Sequence, residues 1–577
     1  MTMLTKWGAA LDRSCPLPEY PRPQLRRESF YNLNSVWDYA VTPSGDEPEV
    51  WDGEIVVPFS PEAPLSGAAR GPAKDEYLHY RRSFTLPEGF QKSRVLLHFG
   101  AVDQIAEVFV NGVSAAKHSG GYWPFSADIT SLLREGENIL RVTVRDNADD
   151  PTFAYGKQRY KRGGMWYTAQ SGIWQTVWLE SVPEVYVKSL RITPEFDEAR
   201  VRIELETALE SSAAITCDVR AADGSFVAGS WAKGGVCVVP LPGFRAWTPD
   251  DPYLYTLDIT CGEDRVESYF AMRKFSYVEL GGHKAFGLNN APLFHNGLLD
   301  QGYYPDGLLT PPSDEAMVND IETMKRCGFN MLRKHIKIEP LRWYYHCDRL
   351  GMIVWQDMVS GGQPYSFLHV SALPTLGKVD LPDQDAKPYG RSGVLSRARF
   401  RREMADTVRL LYNCPCIALW TVFNEGWGQF DALDMANELK KLDPTRFIDH
   451  ASGWQDQGYE EMKSRHIYFR PVKLKNDGRA LALTEYGGYI LAVDGHRWTD
   501  KVFGYRICRN SAALAHDYEK LMLGQVLPHI RKEGLTAAVY TQITDVEEEL
   551  NGLMTYDREV LKIPAETLWE INKQLKF

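Results

Sequence analysis

The sequence predicts a multidomain chain: two β-sandwiches followed by a C-terminal (β/α)₈ TIM barrel. The chain has 577 residues, which exceeds what one hydrophobic core usually serves, so about three domains are expected. Its first half shows short alternating apolar runs, and its second half alternates short apolar runs with helical periods. The first pattern favours antiparallel sandwiches and the second favours parallel strands joined by helices.

The first sandwich is predicted over residues 1–183 and the second over residues 184–276. In the first, apolar side chains alternate at Val95, Leu97 and Phe99, and the pair Asn111-Gly112 is typical of a tight hairpin turn. In the second, apolar residues alternate with charged ones from residue 201 to residue 205. Its length is that of an immunoglobulin-like domain.

The barrel is predicted over residues 277–577. Ser313 is expected to cap a helix with Asp314 and Glu315 in its first turn and Gly328 at its end. The eight predicted strands run over residues 293–299, 329–333, 352–357, 417–424, 446–449, 466–469, 480–485 and 537–542. Eight strands are the number that closes a (β/α)₈ barrel.

Two of these strands lead directly into a glutamate. Glu425 follows the fourth strand and Glu485 ends the seventh. A carboxylate at the tip of a buried strand is costly unless it has partners or a function, and the carboxyl ends of barrel strands carry catalytic groups. Two such glutamates suggest glycoside hydrolysis, which needs an acid and a nucleophile on either side of the scissile bond.

Composition excludes several other classes of protein. The chain is 44% hydrophobic and 24% charged, with a formal net charge of -11, which is typical of a globular protein and makes nucleic acid an unexpected partner. No stretch has the apolar length of a membrane span or a signal peptide, so we expect no membrane association and a cytoplasmic location. The nine scattered cysteines predict reduced thiols, mostly buried.

The domain order, the pair Asn424-Glu425 and the later Glu485-Tyr486-Gly487 together resemble family 2 glycoside hydrolases, the family of β-galactosidases, β-glucuronidases and β-mannosidases. The resemblance extends over nearly the whole chain and implies a jelly-roll fold for the first sandwich. It implies a retaining exo-β-glycosidase with Glu425 as general acid/base and Glu485 as nucleophile. A carbohydrate is then the expected partner, and a homo-oligomer is expected because family members are often dimers or tetramers.

The resemblance also implies residues that assist the two glutamates. Asn424 would bind the sugar 2-hydroxyl, or would only form a turn at the strand end. Tyr468 matches the tyrosine that holds the nucleophile, although a packed core tyrosine is the alternative. Arg333 and His335 follow the second strand, where the family places a basic pair near the nucleophile. A histidine at such a position can also be an ordinary core or surface residue.

Four further residues complete the predicted substrate-binding set. Asp357 ends the third strand, where it could bind a sugar hydroxyl or cap the following segment. Trp427 and Trp454 could stack on a pyranose ring or pack at the top of the barrel. Asp300 ends the first strand. Residues 360–396 form a long connection rich in Gly, Pro and polar residues, which predicts a lid or subsite wall.

The choice of sugar rests on where the sequence departs from the family pattern. Residues 545–553 lack the Asn-x-Lys pair with which glucuronidases hold a uronate carboxylate, and the run from Asp545 to Glu549 is acidic. We interpret that run as a solvated charged segment that disfavours an anionic sugar. The predicted substrate is therefore a neutral β-galactoside, with other family 2 sugars as alternatives. No metal-ligand cluster is evident and no cofactor is required. The rival classes are an inert carbohydrate-binding protein and a metal-dependent barrel hydrolase.

Overall fold

The N-terminal part of the chain is an antiparallel β-sandwich. The computed structural model describes residues 3–209, 214–377 and 380–577. Apolar residues from both sheets, including Trp37, Val108 and Leu179, form one buried core, so the predicted sandwich is confirmed. One sheet contains Phe30–Asn32, Val177–Val182, Arg94–Phe99 and Phe125–Asp128 in that spatial order, and the other contains Gly53–Val56, Val36–Thr42, Tyr77–Thr85, Glu137–Arg145, Ile105–Val110 and Val113–Ser119. Short strands pair Val102–Asp103 with Gly172–Ile173, and Gln158–Arg159 with Tyr167–Thr168.

The second sandwich has the predicted immunoglobulin-like size. Val201, Ile203, Val219 and Leu257 meet in a separate core, because alternate residues of each strand face the opposite sheet. One sheet contains Val187–Glu195, Arg200–Thr207 and Val236–Pro240, and the other contains Phe226–Trp231, Ile215–Arg220, Tyr255–Cys261 and Asp264–Phe270. The boundaries at residues 183 and 276 stay predictions.

Eight parallel strands form the barrel, as predicted. They are β1 (His295–Asp300), β2 (Met331–Lys334), β3 (Ile353–Asp357), β4 (Ile417–Thr421), β5 (Phe447–Asp449), β6 (Met462–Ile467), β7 (Ala480–Gly487) and β8 (Leu535–Thr541). The bounds predicted for the sixth strand, residues 466–469, were wrong. β6 begins at Met462, and the charged residues 463 and 465 interrupt its apolar pattern. Residues 450–461 and 468–479 connect β5 to β6 and β6 to β7 without a helix.

Helices cover the outside of the barrel. The Ser313 side chain accepts a hydrogen bond from the backbone N–H of Ala316, which confirms the predicted cap. The α-helices are Lys6–Ala9, Asp314–Arg326, Leu341–Leu350, Leu373–Thr375, Val394–Leu411, Ala432–Leu442, Ser511–Leu521, Leu527–Glu533 and Ala565–Asn572. Short 3₁₀ turns are Pro23–Leu25, Pro64–Ser66 and Thr130–Leu132, and π turns are Leu368–Ala372 and Met522–Val526.

A hairpin closes the amino end of the barrel and leaves the carboxyl end for a site. It pairs Phe275–Leu280 with His283–Leu288, and Ala291–Pro292 extends it. The Phe286 ring lies 4.5 Å from the ring of Phe447 and 5.7 Å from that of Trp355, measured between centroids. A short pair, Tyr489–Ile490 with Arg506–Ile507, follows β7 at the opposite end.

A segment of the first sandwich crosses the top of the barrel; we call residues 146–171 the bridging loop. The Tyr155 hydroxyl donates to the Gly362 carbonyl (2.7 Å), and the Thr168 backbone N–H donates to Glu547 (2.8 Å). Asp545, Glu547 and Glu549 are buried. The interpretation of residues 545–549 as a solvated segment is therefore wrong, because these carboxylates bind the bridging loop and a buried lysine at position 562.

The cysteines are as the sequence predicted. All nine cysteines are free thiols, and only Cys15 is exposed, which confirms reduced and mostly buried residues. In the part of the chain that the structure describes, every helix is too short or too polar to cross a membrane.

Candidate active site

The two glutamates meet at the carboxyl end of the barrel. Glu485 lies within β7, and Glu425 lies four residues beyond the end of β4. The backbone of Glu425 is left-handed, with φ +55°, and its N–H donates to the Ser452 carbonyl at 2.9 Å. Non-glycine residues in that conformation cost about 1–3 kcal/mol and collect at functional sites. The tight turn aims the Glu425 side chain back over the barrel.

The distance between the glutamates fits one kind of glycoside hydrolysis. One carboxylate oxygen of Glu425, one of Glu485 and a ring nitrogen of His466 all lie within 4.8 Å of one another. Retaining enzymes hold their carboxyl groups about 5–5.5 Å apart, whereas inverting enzymes leave roughly 6.5–9.5 Å for a water molecule. The short distance between the nearest atoms fits the closer spacing of retaining enzymes, in which one carboxylate attacks directly.

Glu485 is held by two donors. Arg333 Nη1 donates to one carboxylate oxygen at 3.1 Å, and the Tyr468 hydroxyl donates to the other at 2.5 Å. Burial, and then the Glu485 charge, raise the pKa of Tyr468 well above its usual range, so the phenol stays a donor. The predicted neighbours Arg333 and Tyr468 therefore both contact Glu485, in an arrangement that fixes its orientation.

Arg333 also connects Glu485 to the rest of the predicted set. Its side chain is fully buried, and it donates to both oxygens of Asp357 at 3.0 Å and to Asn424 Oδ1 at 2.8 Å. His335 Nδ1 lies 2.8 Å from the same Asp357 carboxylate. Burial alone would raise the pKa of Asp357, but the Arg333 charge and His335 lower it to about 2. Asp357 is thus an ion-pair partner of the basic pair.

The contact with Arg333 also fixes the amide of Asn424. A guanidinium can only donate, so the Asn424 atom that faces it is the oxygen. The amide nitrogen of Asn424 is then the atom that can donate to a substrate hydroxyl, and the residue stays slightly exposed at 8%.

The sequence reasoning did not select His466 as a site residue. Its Nδ1 lies 2.8 Å from Glu425 Oε1, and its Nε2 lies 3.2 Å from the Ser452 hydroxyl. Burial lowers the pKa of His466 to about 3, so the imidazole is neutral and binds Glu425 without adding a charge. The sequence does contain a signal for His466. It stands two residues before Tyr468, and alternate positions along an extended segment face the same side, so a site that includes Tyr468 is expected to include His466.

Lys157 is the second residue that sequence reasoning missed. It belongs to the bridging loop, and its ammonium group lies 5.8 Å from the centroid of the Trp166 ring. Among the described residues it forms no ion pair within 4.0 Å, yet its charge opposes the burial that raises the pKa of both Glu425 and Glu549. No sequence signal connects Lys157 with the barrel, because it lies in another domain.

The protonation of Glu425 is set mainly by burial. Burial raises the pKa of Glu425 above its ordinary value, while the charge of Lys157, followed by those of His335 and Arg333, partly opposes the shift. The net direction is upward, so Glu425 keeps its proton to a higher pH than a free glutamate does. This is the property that a general acid requires near neutral pH.

The two tryptophans have different surroundings. Trp454 is half-buried, and its indole N–H donates to the Glu425 carbonyl at 2.9 Å, so its ring borders the site. Trp427 is only 4% exposed and packs edge-on against Trp166 of the bridging loop, with centroids 5.0 Å apart. The structure thus supports the packing alternative for Trp427.

Asp300 belongs to a separate buried network. Lys334 donates to its carboxylate at 2.6 Å and to Glu339 at 2.8 Å, and the Gly302 N–H donates to Asp300 at 2.9 Å. These contacts hold the ends of β1 and β2 together and occupy the Asp300 carboxylate, so a direct contact with substrate is not supported.

Part of the long connection after β3 borders the site. Tyr365 is half-buried, and after burial the Glu425 charge is the next cause that raises its pKa. The Tyr389 ring packs close to Gly426, the residue after Glu425; a Cβ at position 426 would lie 3.4 Å from that ring. The described residues 360–377 and 380–396 therefore include a wall beside Glu425, whereas Phe367 points outward with 72% exposure.

Glu425, His466 and Glu485 could together hold a metal ion, and the described residues contain no other set of three such groups that meets the same distance limit. The surroundings fit a metal poorly. The buried Arg333 guanidinium already lies 3.1 Å from Glu485, and a divalent ion at the same carboxylate would be repelled by that charge. The contact with Arg333 suits two carboxyl groups that are held without a metal.

The fold and the site together define a class: a barrel with a retaining-type carboxylate pair behind two β-sandwiches. Residues 63–183 match the model "Glycosyl hydrolases family 2, sugar binding domain", residues 185–273 match "Glycosyl hydrolases family 2", and residues 311–474 match "Glycosyl hydrolases family 2, TIM barrel domain". The chain belongs to glycoside hydrolase family 2.

Similar proteins carry several different activities in their names. The chain is 25% identical over 387 residues to a β-galactosidase from Thermoanaerobacter pseudethanolicus, covering 64% of this chain and 47% of the relative. It is 25% identical over 345 residues to a putative β-glucuronidase from Formosa agariphila, covering 57% of this chain and 37% of the relative. The chain thus spans about half the length, or less, of these relatives.

Solved structures show the same fold at low identity. A β-glucuronidase from an uncultured Clostridium sp. matches with a TM-score of 0.75 and 18% identity, covering 96% of this chain and 99% of that one. A family 2 β-galacturonidase from Eisenbergiella tayi matches with a TM-score of 0.70 and 19% identity, covering 96% and 98%. These similarities confirm the fold and leave the sugar open.

Proposed function

We propose that the protein is a retaining exo-β-glycosidase that releases a terminal β-linked sugar by double displacement. The observation that carries this proposal is the carboxylate pair, whose oxygens lie within 4.8 Å of each other. Two donors hold Glu485, and burial raises the pKa of Glu425. The pair therefore combines an oriented nucleophile with a carboxyl group that keeps its proton.

In the first step Glu485 attacks the anomeric carbon while the bond to the leaving oxygen breaks. Glu425 transfers its proton to that oxygen, and a covalent ester joins the sugar to Glu485. Ester formation neutralises Glu485, which removes a negative charge near Glu425 and makes Glu425 a stronger acid. Glu425 can then accept a proton from water, which attacks the ester and releases the sugar with its original configuration.

Other residues of the site position these groups. Arg333 holds Glu485, Asp357 and the Asn424 amide in one network. The amide nitrogen of Asn424 is placed to bind the 2-hydroxyl of the sugar, an interaction that strengthens in the transition state. The half-buried ring of Trp454 offers an apolar face beside Glu425 for the C–H face of a pyranose.

For the sugar itself we propose a neutral β-galactoside first. Besides the protonated Glu425, this region holds Glu485 and Glu549, and Lys157 is the cation there that forms no ion pair within 4.0 Å among the described residues. This balance disfavours an anion. A uronide is the second candidate. Lys157 favours it, and the acidic run that argued against it in the sequence is buried and partly neutralised by Lys562 and Arg162.

The first experiment is hydrolysis of nitrophenyl glycosides, α and β, of galactose, glucose, glucuronate, mannose, xylose and arabinose. Glu485→Gln should abolish turnover. Glu425→Ala should slow poor leaving groups most, by about 10²–10⁴-fold, and azide should rescue it with formation of a β-glycosyl azide. Glu548→Gln is the matched control, because this carboxylate faces the bridging loop instead of the glutamate pair. Normal rates in Glu485→Gln would refute the nucleophile.

The same assay separates the rival classes. A carboxylate pair predicts a bell-shaped pH profile of kcat/KM and no response to a chelator. A metal-dependent hydrolase would lose activity on chelation and recover it with metal. Sugar binding without turnover of any glycoside in the panel would favour the inert binding protein.

A further inference from the structure

Two side chains of opposite charge border the catalytic glutamates without a full set of partners. Lys157 is half-buried, and among the described residues its ammonium group forms neither a hydrogen bond nor an ion pair. Glu549 is 5% exposed, and the Tyr167 hydroxyl is the one described donor to its carboxylate, at Oε2. Neither Oε1 of Glu549 nor the Lys157 ammonium group is sealed from solvent. Because charges removed from water are costly without partners, both groups are suited to take a partner from a ligand.

The bridging loop places Lys157 at the end of β2. A Cβ at Gly156 would lie 3.0 Å from the carbonyl oxygen of Ile336, the residue after His335, so the loop backbone packs directly on this part of the site. Burial first, and then the Lys157 charge, lower the pKa of His335. The same charge opposes the effect of burial on the pKa of Glu425. Backbone contact and charge thus agree that Lys157 borders the catalytic site.

Glu549 reaches the site from the segment that follows β8. Its backbone forms a β-bridge with that of Phe503. Two residues further on, the Tyr505 ring stacks on the ring of Tyr468, whose hydroxyl binds Glu485. Burial is the largest cause that raises the pKa of Glu549, and the Glu485 charge raises it further. Glu549 therefore borders the site on the side of the nucleophile.

A sugar hydroxyl is the group that satisfies both charges. The Lys157 charge acts on Glu549, but the two groups form no ion pair with each other. A hydroxyl can donate to the carboxylate and accept from the ammonium group at once. The carboxylate of a uronide would pair with Lys157 but would meet Glu549 as a like charge. An apolar substituent would leave both charges without partners.

We propose that Glu549 and Lys157 bind one hydroxyl of the terminal sugar and thereby select a neutral sugar over a uronide. This inference rests on the proposed glycosidase function, in which Glu485 attacks the anomeric carbon and Asn424 binds the 2-hydroxyl. The hydroxyl bound by the pair is therefore the one at C3, C4 or C6. The two residues contact the substrate away from the bond that breaks, so their effect is on the choice of sugar.

The first test compares the neutral β-glycoside that the enzyme hydrolyses best, expected to be the galactoside, with its uronide. The ratio of kcat/KM for the uronide to that for the neutral sugar should rise about 10-fold in Glu549→Gln, because a like charge is removed, and should fall about 10-fold in Lys157→Met. Both substrates use the same acid, so a change in the pKa of Glu425 cancels in the ratio. Glu548→Gln is the matched control and should keep the wild-type ratio, because this carboxylate accepts from the backbone N–H of Gly164.

The second test removes the hydroxyl from the substrate. One of the 3-, 4- and 6-deoxy β-galactosides should lose roughly 10- to 100-fold in kcat/KM with the wild type, because a hydrogen bond to a charged group contributes that much. The same analogue should lose about tenfold less in Glu549→Gln, because its charged partner is already gone. A general loss of structure would lower the rates with all substrates and would not produce this coupling.

Three results would overturn the proposal: a wild type that prefers the uronide, an unchanged ratio in both Glu549→Gln and Lys157→Met, or equal deoxy losses in the wild type and Glu549→Gln. If Glu549→Gln fails to fold, the ratio in Lys157→Met decides. Failure of the proposed function looks different, because the wild type would then hydrolyse no glycoside. In that case Glu485→Gln is titrated with galactose by calorimetry. Weaker binding after addition of Glu549→Gln supports the pair, and equal or absent binding refutes it.

Discussion

Tyr468→Phe is the variant that tests most directly how the nucleophile is held. The Tyr468 hydroxyl lies 2.5 Å from Glu485 Oε2 and 3.0 Å from the Thr541 hydroxyl. Phenylalanine keeps the ring, which stacks on Tyr505 with centroids 4.0 Å apart, and removes only the donor. Arg333 remains at the other oxygen of Glu485, so the carboxylate loses one of two supports.

The size of the effect follows from the kind of hydrogen bond. A hydrogen bond to a charged group contributes about 1.5–3 kcal/mol. Because each 1.36 kcal/mol corresponds to a tenfold change in rate, a loss near 2 kcal/mol lowers kcat/KM about 30-fold. The loss should be similar for good and poor leaving groups, since the donor acts on the nucleophile and not on the acid.

The assay is kcat/KM for two aryl β-glycosides with different leaving groups, together with the thermal midpoint of each protein. Tyr277→Phe is the control, because it removes a hydroxyl that donates to a different glutamate, Glu461, at the amino end of the barrel. A Tyr468→Phe enzyme with wild-type kcat/KM would refute the support of Glu485 by this hydroxyl. A loss confined to poor leaving groups would assign the tyrosine to the acid instead.

Three further predictions concern charge and pH. In Lys157→Met the cation that lowers the pKa of Glu425 is gone, so the alkaline limb of kcat/KM should move to higher pH; an unmoved limb would contradict the influence of Lys157 on Glu425. His466→Ala removes the ring 2.8 Å from Glu425 and should lower kcat/KM roughly 10-fold, as expected for about 1.4 kcal/mol, and equal rates would exclude a positioning role. Arg333 and His335 outweigh burial and lower the pKa of Asp357 to about 2 in the folded state, below the unfolded value of about 3.9. The ionised Asp357 carboxylate therefore stabilises the fold fully above about pH 5, and this stabilisation is lost as the pH falls toward 2. The difference in free energy of unfolding between wild type and Asp357→Asn, measured with urea, should thus be smaller at pH 3 than at pH 5.

Much of the architecture could be predicted from local patterns. The alternation of apolar residues along strands such as Glu137–Arg145 and the Ser313 cap follow from backbone geometry and short-range hydrogen bonds. The sixth barrel strand was misplaced because Lys463 and Arg465 interrupt its apolar run. Their side chains are half-buried, and long charged side chains reach water from such positions.

The candidate site also has one part that the sequence predicts and one part that it does not. Glu425 and Glu485 could be selected because each follows an apolar strand, which is an unusual place for a carboxylate. This pattern is visible locally, however far apart the two glutamates lie in the sequence. The surroundings that set their chemistry come from other strands and from another domain. Lys157 lies more than 250 positions before Glu425 in the sequence, and only the path of the bridging loop brings their charges together.

The sequence by itself determined the order of domains, the strand and helix pattern of the barrel and the two glutamates, because each depends on nearest neighbours along the chain. Tertiary structure decided the rest: that residues 545–549 are buried against the bridging loop, that Trp427 packs instead of facing the site, and that Asp357 serves Arg333. Burial and charge depend on which distant residues become neighbours in space. Those two quantities fix the protonation of Glu425, so the chemistry of the site depends on the fold.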